Sequence, residues 1–158
     1  MPNIFAGSEI AELGIQIEKN GKDFYETVLS DSKNEAAKRL FKYLAGEEEK
    51  HIAVFQKILI ATEKYEPVES YAGEYFSYMR ALAAECIFTK KNKGKETGKK
   101  IKSDKEAVEL GIGFEKDSII FYEGMKKVVP EYDHKIVNAL IAQEQSHLTQ
   151  LTELKGKL

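Results

Sequence analysis

Two stretches of this chain carry the same pair of side chains at the same spacing: Glu48 and His51 in GEEEKHIAVF, and Glu144 and His147 in AQEQSHLTQL. Residues three apart on a helix lie on one face, so each glutamate and histidine could reach one metal ion together. A single Glu-x-x-His arises often by chance. Here each copy is matched by a glutamate upstream, Glu18 by 30 residues and Glu115 by 29, which makes the pattern specific. Four carboxylates would balance two divalent cations, and two neutral imidazoles would complete the coordination. Carboxylate-rich sites of this kind favour iron or manganese and do not separate the two.

Such residues must be held by helices, because each lies on a seam that steps by four and three. One segment reads Ala37, Phe41, Leu44, Glu48, His51, Phe55, Ile58, and another reads Val137, Leu140, Glu144, His147, Leu151, Leu154. The two upstream seams are Ala11, Gly14, Glu18, Gly21, Tyr25, Val28 and Val108, Gly111, Glu115, Ser118, Tyr122, Met125. Start signals divide these into four main helices, expected over 8–29, 32–64, 103–128 and 130–155 of a single domain, 1–158. Ser8 can cap the first; Ser32 to Glu35 and Ser103 to Glu106 read as capping boxes for the second and third; Pro130 suits the first turn of the fourth. Gly14, Gly21 and Gly111 are expected to let the first and third helices approach closely.

The midpoint of Glu18 and Glu48 is residue 33, and that of Glu115 and Glu144 falls between 129 and 130, both inside short turns. Each hairpin therefore sets its two glutamates at one height, since a helix rises about 1.5 Å per residue. Leaving these groups unpaired in a core would cost several kcal/mol apiece, and no seam position offers a lysine or arginine. Metal is the neutralising agent the pattern implies; a metal-free helical interaction domain is the competing reading.

The chain also repeats itself. Residues 12–26, ELGIQIEKNGKDFYE, match 109–123, ELGIGFEKDSIIFYE, at nine of fifteen positions, so two helix hairpins related by a pseudo-two-fold axis are expected. The crossover between them, 65–102, is long enough to run the length of a bundle and includes an aromatic stretch suited to a short helix. Its second part, KKNKGKETGKKIKSDK, has eight lysines in sixteen residues and reads as a mobile, solvated loop dispensable for the site.

Composition agrees with this architecture. The 158 residues are 42% hydrophobic and 32% charged with three prolines, a balance that suits a helical, water-soluble domain. A net charge of −2 offers no general attraction to nucleic acid or to an anionic membrane. The absence of a leader-like N-terminus or a long apolar run gives a cytoplasmic expectation. The single cysteine, Cys86, excludes an internal disulfide and reads as a small buried hydrophobe.

The whole pattern resembles the ferritin-like di-iron carboxylate superfamily, and the EK-x₄-FYE segments with the long crossover most resemble its rubrerythrin branch. The resemblance implies an all-α, ferritin-like four-helix bundle: two antiparallel hairpins joined by a long crossover containing a short helix. It implies two iron ions, with manganese possible, bridged by Glu48 and Glu144, held terminally by Glu18 and Glu115, and each bound by one of His51 and His147. Tyr25 and Tyr122, seven residues beyond a ligand glutamate, would donate hydrogen bonds to carboxylates. Two departures stand out: Ser118 occupies a position where rubrerythrins usually add a glutamate, and a rubredoxin-like Cys-x-x-Cys domain is absent. The chain also stops soon after the fourth helix, so a storage shell is not expected. The expected activity is an oxidoreductase reducing peroxide or dioxygen, with iron binding and ferroxidation as the alternative. The expected partners are that oxidant, an unidentified external electron donor and a second copy of the chain in a homodimer.

Overall fold

The computed structural model describes residues 7–64, 73–86, 88–127, 129 and 131–158. Six α-helices follow in order: α1 (Gly7–Asp31), α2 (Glu35–Lys64), α3 (Gly73–Glu85), α4 (Lys93–Lys99), α5 (Asp104–Met125) and α6 (His134–Lys155), the last preceded by a 3-10 turn, Glu131–Asp133. There is no strand among the described residues, and the chain is an all-α, ferritin-like helical bundle. None of the described helices is long and apolar enough to cross a membrane.

The seams explain the packing. Ile10, Ala11, Ile17, Phe24, Tyr25 and Val28 of α1 are buried, as are Ala37, Phe41, Leu44, Phe55 and Ile58 of α2. Val108, Phe114, Tyr122 and Met125 of α5 meet Val137, Leu140, Leu151 and Leu154 of α6 in the same core. α1 packs along α2 and α5 along α6, and the two hairpins join through α1 with α5 and α2 with α6. Gly21 makes room for the Phe114 ring of α5, as expected of a close approach between those helices. Gly14 instead receives Phe55 of α2, and Gly111 lies beside Leu151 of α6 as well as Tyr25 of α1.

Helix starts differ in detail from the sequence expectation. Ser8 lies within α1 rather than capping it. α2 begins at Glu35, and its cap is Asn34, whose Oδ1 accepts from the Ala37 amide at 3.0 Å. The Ser32 box does not form; the Lys33 and Asn34 amides instead donate to Oδ2 of Asp104, 3.1 and 2.9 Å away at the head of α5. The other box keeps its serine half, with Ser103 Oγ accepting from the Glu106 amide at 3.1 Å. Pro130 lies outside the described residues, and α6 starts at His134.

Asp104 also fixes the path of the crossover. α2 carries the chain about 45 Å from the first turn, and α5 begins back beside that turn, so the intervening residues return along the bundle. α3 packs on α5 and α4 on α1. The lysine-rich segment expected to be mobile is therefore a docked helix. Lysine content sets only its outer face; its inner face is Gly94 and Gly98, both buried. Asn20 of α1, fully buried, donates to the carbonyls of Phe88 and Lys90, both at 2.7 Å, and accepts from the Gly94 amide at 3.1 Å. A Cβ on Gly94 would sit 1.9 Å from the Asn20 carbonyl oxygen, so only glycine permits this approach. Asn20→Ala removes the partner of three backbone groups, two of them buried, and should cost about 2 kcal/mol, lowering Tm by roughly five degrees. Amide exchange should accelerate selectively over 88–99; unchanged protection there would show that Asn20 does not hold the segment. Cys86 is buried as expected, and burial, with Asp117 nearby, pushes its thiol up to about 12.

Candidate metal centre

Glu18 of α1, Glu48 and His51 of α2, Glu115 of α5, and Glu144 and His147 of α6 meet at mid-bundle, each no more than 1% exposed. Two overlapping groups form. Glu18, Glu48, His51 and Glu144 offer ligand atoms all within 4.8 Å of one another, and so do Glu48, Glu115, Glu144 and His147. Glu48 and Glu144 belong to both.

The orientation of those two carboxylates is specific. Glu48 lies 3.7 Å from His51 Nδ1 through Oε2 and 3.7 Å from His147 Nδ1 through Oε1. Glu144 lies 2.9 Å from His51 Nδ1 through Oε1 and 3.2 Å from His147 Nδ1 through Oε2. Each thus divides its two oxygens between the two histidines. Glu18 Oε2 completes one side, 3.4 Å from His51 Nδ1, and Glu115 Oε1 the other, 3.7 Å from His147 Nδ1. The imidazole rings lie nearly parallel, centroids 5.7 Å apart.

Tyr25 and Tyr122 are fully buried and reach across the duplication. Tyr25 Oη donates to Glu115 Oε1 at 2.8 Å, and Tyr122 Oη donates to Glu18 Oε1. The sequence places each tyrosine on the face of its own helix's glutamate, but seven residues is about 10 Å of rise. The glutamate within reach belongs to the facing antiparallel helix.

What the cluster lacks is informative. Glu18 Oε2, both oxygens of Glu48, Glu115 Oε2, Glu144 Oε1 and His51 Nδ1 are buried without a hydrogen-bond partner. Buried polar atoms in native proteins almost always have one. Several lie within ion-pair distance of each other yet without hydrogen-bond geometry, as donor atoms aimed at a common point would. The donor set, four carboxylates and two imidazoles, therefore fits a pair of divalent cations.

Electrostatics point the same way. Burial pushes Glu48 well above the usual carboxylate range, and the charges of Glu144 and Glu18 push further. Burial does the same to Glu115, with Glu144 and Glu48 adding. Burial disfavours charge on His51, but the facing Glu144, Glu18 and Glu48 outweigh it and raise its pKa. Glu144 goes the other way: burial would raise it, but Glu115, His147 and His51 hold it low. Both tyrosines are raised, first by burial and then by Glu115 for Tyr25 and Glu18 for Tyr122, so they remain hydrogen-bond donors.

Three neighbours were not singled out by the sequence. Gln143 Oε1 lies 2.5 Å from His51 Nε2. The half-exposed Tyr43 sets its ring edge-on to His147, centroids 6.0 Å apart. Asn20, two residues beyond Glu18, serves the crossover. Gln143 and Tyr43 sit beside the core seam rather than on it, so heptad position reads them as surface. Ser118 is buried and donates to the Phe114 carbonyl at 2.9 Å.

Compared with known families, residues 9–155 match the rubrerythrin family model, nearly the whole chain. Comparisons with curated proteins and with solved structures each give no match.

Proposed function

We propose, from the fact that this chain belongs to the rubrerythrin family, that it is a non-haem di-iron carboxylate protein that reduces peroxide or dioxygen at its buried centre. The observation that carries this reading is the division of Glu48 and Glu144, each turning one oxygen toward His51 and the other toward His147. Carboxylates so divided would serve both ions of a pair. Glu18 and His51 would complete one position, and Glu115 and His147 the other. Iron is the proposed metal and manganese the alternative, since oxygen and imidazole donors suit both.

When bound in reduced form, such a pair of ions supplies two electrons to an oxidant. The protein's own part is positional. Tyr122 holds Oε1 of Glu18 and leaves its Oε2 facing His51, while Tyr25 holds Oε1 of Glu115, the oxygen that also faces His147, so each phenol fixes how its glutamate sits in the cluster. Burial on all sides keeps bulk water from competing for the donor atoms. An external electron donor is part of the reading, and so is a homodimer, which solution mass measurement tests.

The deciding experiment loads the protein anaerobically with ferrous iron and titrates it with hydrogen peroxide. The expected result is two irons per chain and one peroxide consumed per pair of ferrous ions oxidised, repeated on each addition of a chemical reductant. Uptake of iron far beyond two per chain would favour iron handling with ferroxidation instead. No retained iron or manganese would leave the metal-free interaction domain.

A further inference from the structure

His51 presents its two ring nitrogens to different surroundings. Nδ1 faces Glu144, Glu18 and Glu48 at 2.9, 3.4 and 3.7 Å, while Nε2 meets Gln143 Oε1 at 2.5 Å. A carboxamide oxygen only accepts, so this contact requires a proton on Nε2. Neutral imidazole then carries its lone pair on Nδ1, aimed at the point where the carboxylates converge. The reversed amide would set an N–H against Nε2 and drive the proton to Nδ1, an arrangement that cannot bind a metal there.

Gln143 is well placed for this duty. It is an exposed residue of α6, next in sequence to Glu144, and it reaches His51 on α2. Its bond ties the two Glu-x-x-His helices together at the height of the centre. The duplication does not repeat it. The residue preceding Glu48 is Glu47, whose side chain pairs with Lys50 at 2.8 Å, and His147 meets the edge of the Tyr43 ring. The two imidazoles are thus supported by different chemistry.

We propose that Gln143 is a positioning residue that locks His51 in the tautomer with Nδ1 free, making the Glu18–Glu48–His51–Glu144 position the tighter of two unequal metal sites. The inference rests on the metal-binding reading above. Partners that hydrogen-bond a ligating imidazole typically change metal affinity by roughly 10- to 100-fold, and here the effect falls on one site only.

The test uses the full chain stripped of metal and titrated with Mn(II) by calorimetry, as wild type, Gln143→Leu and Gln143→Glu. Leucine keeps the bulk and removes the acceptor; glutamate keeps the acceptor. The expected result is that Gln143→Leu weakens one binding step by roughly 10- to 100-fold and leaves the other within about twofold, while Gln143→Glu restores it. In Zn(II)-loaded, ¹⁵N-histidine-labelled protein, His51 should show a slowly exchanging Nε2 proton in wild type and Gln143→Glu. That signal should be lost in Gln143→Leu, with His147 signals unmoved. Losing the acceptor leaves a buried N–H of His51 unpaired, so metal-free Gln143→Leu should melt roughly a few degrees lower, with Gln143→Glu close to wild type. Equal weakening of both steps, no change in either, or failure of glutamate to restore binding would each overturn the proposal. A wild type that binds no metal at all would overturn the functional reading instead.

Discussion

Replacing Glu48 or Glu144 with alanine will abolish the binding of two metals per chain. Each carboxylate divides its oxygens between the two histidines, so its removal takes a donor from both positions at once. Glu18→Ala or Glu115→Ala should weaken mainly one position, because each belongs to only one of the two groups. Elemental analysis after loading with ferrous iron or Mn(II) reads the difference. A folding defect can be separated from a ligand defect. Burial and the neighbouring carboxylates hold the Glu48 pKa high, which makes its ionised form unfavourable in the metal-free core, so melting of metal-free Glu48→Ala against metal-free wild type reads any folding defect apart from the loss of a ligand. Undiminished metal content in Glu48→Ala and Glu144→Ala would sink the bridging assignment.

Stripping metal from the wild type should lower Tm by roughly ten degrees. A ligand bound only by the folded state adds RT ln(1 + [L]/Kd), about 4 kcal/mol at a thousandfold excess over Kd, and a chain of this size loses a few degrees per kcal/mol. The stripped protein should then regain stability as pH falls from 7 toward 5. Folded Glu48 and Glu115 titrate above their ordinary 4.5, so near neutrality they bind protons that the unfolded chain has released. Folded His51 titrates above its ordinary 6.5, so its contribution is complete below 6.5 and is lost as pH rises. Glu144 has the opposite sign: held low in the fold, it contributes above 4.5 and loses that only in stronger acid. The loaded protein should weaken over the same range, because its ligands must stay deprotonated. Melting curves of stripped and loaded protein should therefore converge on acidification. Curves that coincide at pH 7 would count heavily against a metal in the core.

The sequence made the four long helices and the convergence of the six side chains legible, because both follow from the spacing of apolar and ionisable residues along single helices. What it hid depends on contacts between distant segments. Ser32 and Asn34 are equally good caps in isolation; the helix uses Asn34, and the Lys33 and Asn34 amides go to Asp104, some seventy residues away, a contact no local pattern shows. The lysine-rich segment looks solvated because composition counts side chains. It docks through glycine backbone and the buried amide of Asn20, which composition does not weigh. Spacing put Tyr25 and Tyr122 on the correct faces but could not say which helix lies opposite. Gln143 shows the same limit from the other side: an exposed position reads as uncommitted until a neighbouring helix brings His51 to it.

The crossed tyrosines bear on how such a centre could originate. Each repeat sets one tyrosine, one lone glutamate and one Glu-x-x-His on its core seams, yet that tyrosine satisfies the other repeat's glutamate. A solitary hairpin would bury a phenol with no acceptor and half of a ligand shell. Two identical hairpins in association would lack nothing, so an ancestral gene half as long could have encoded the complete centre as a dimer. The two halves differ where aligned positions carry separate duties: Asn20 aligns with Asp117, Gln143 with Glu47 and Ser118 with Gly21.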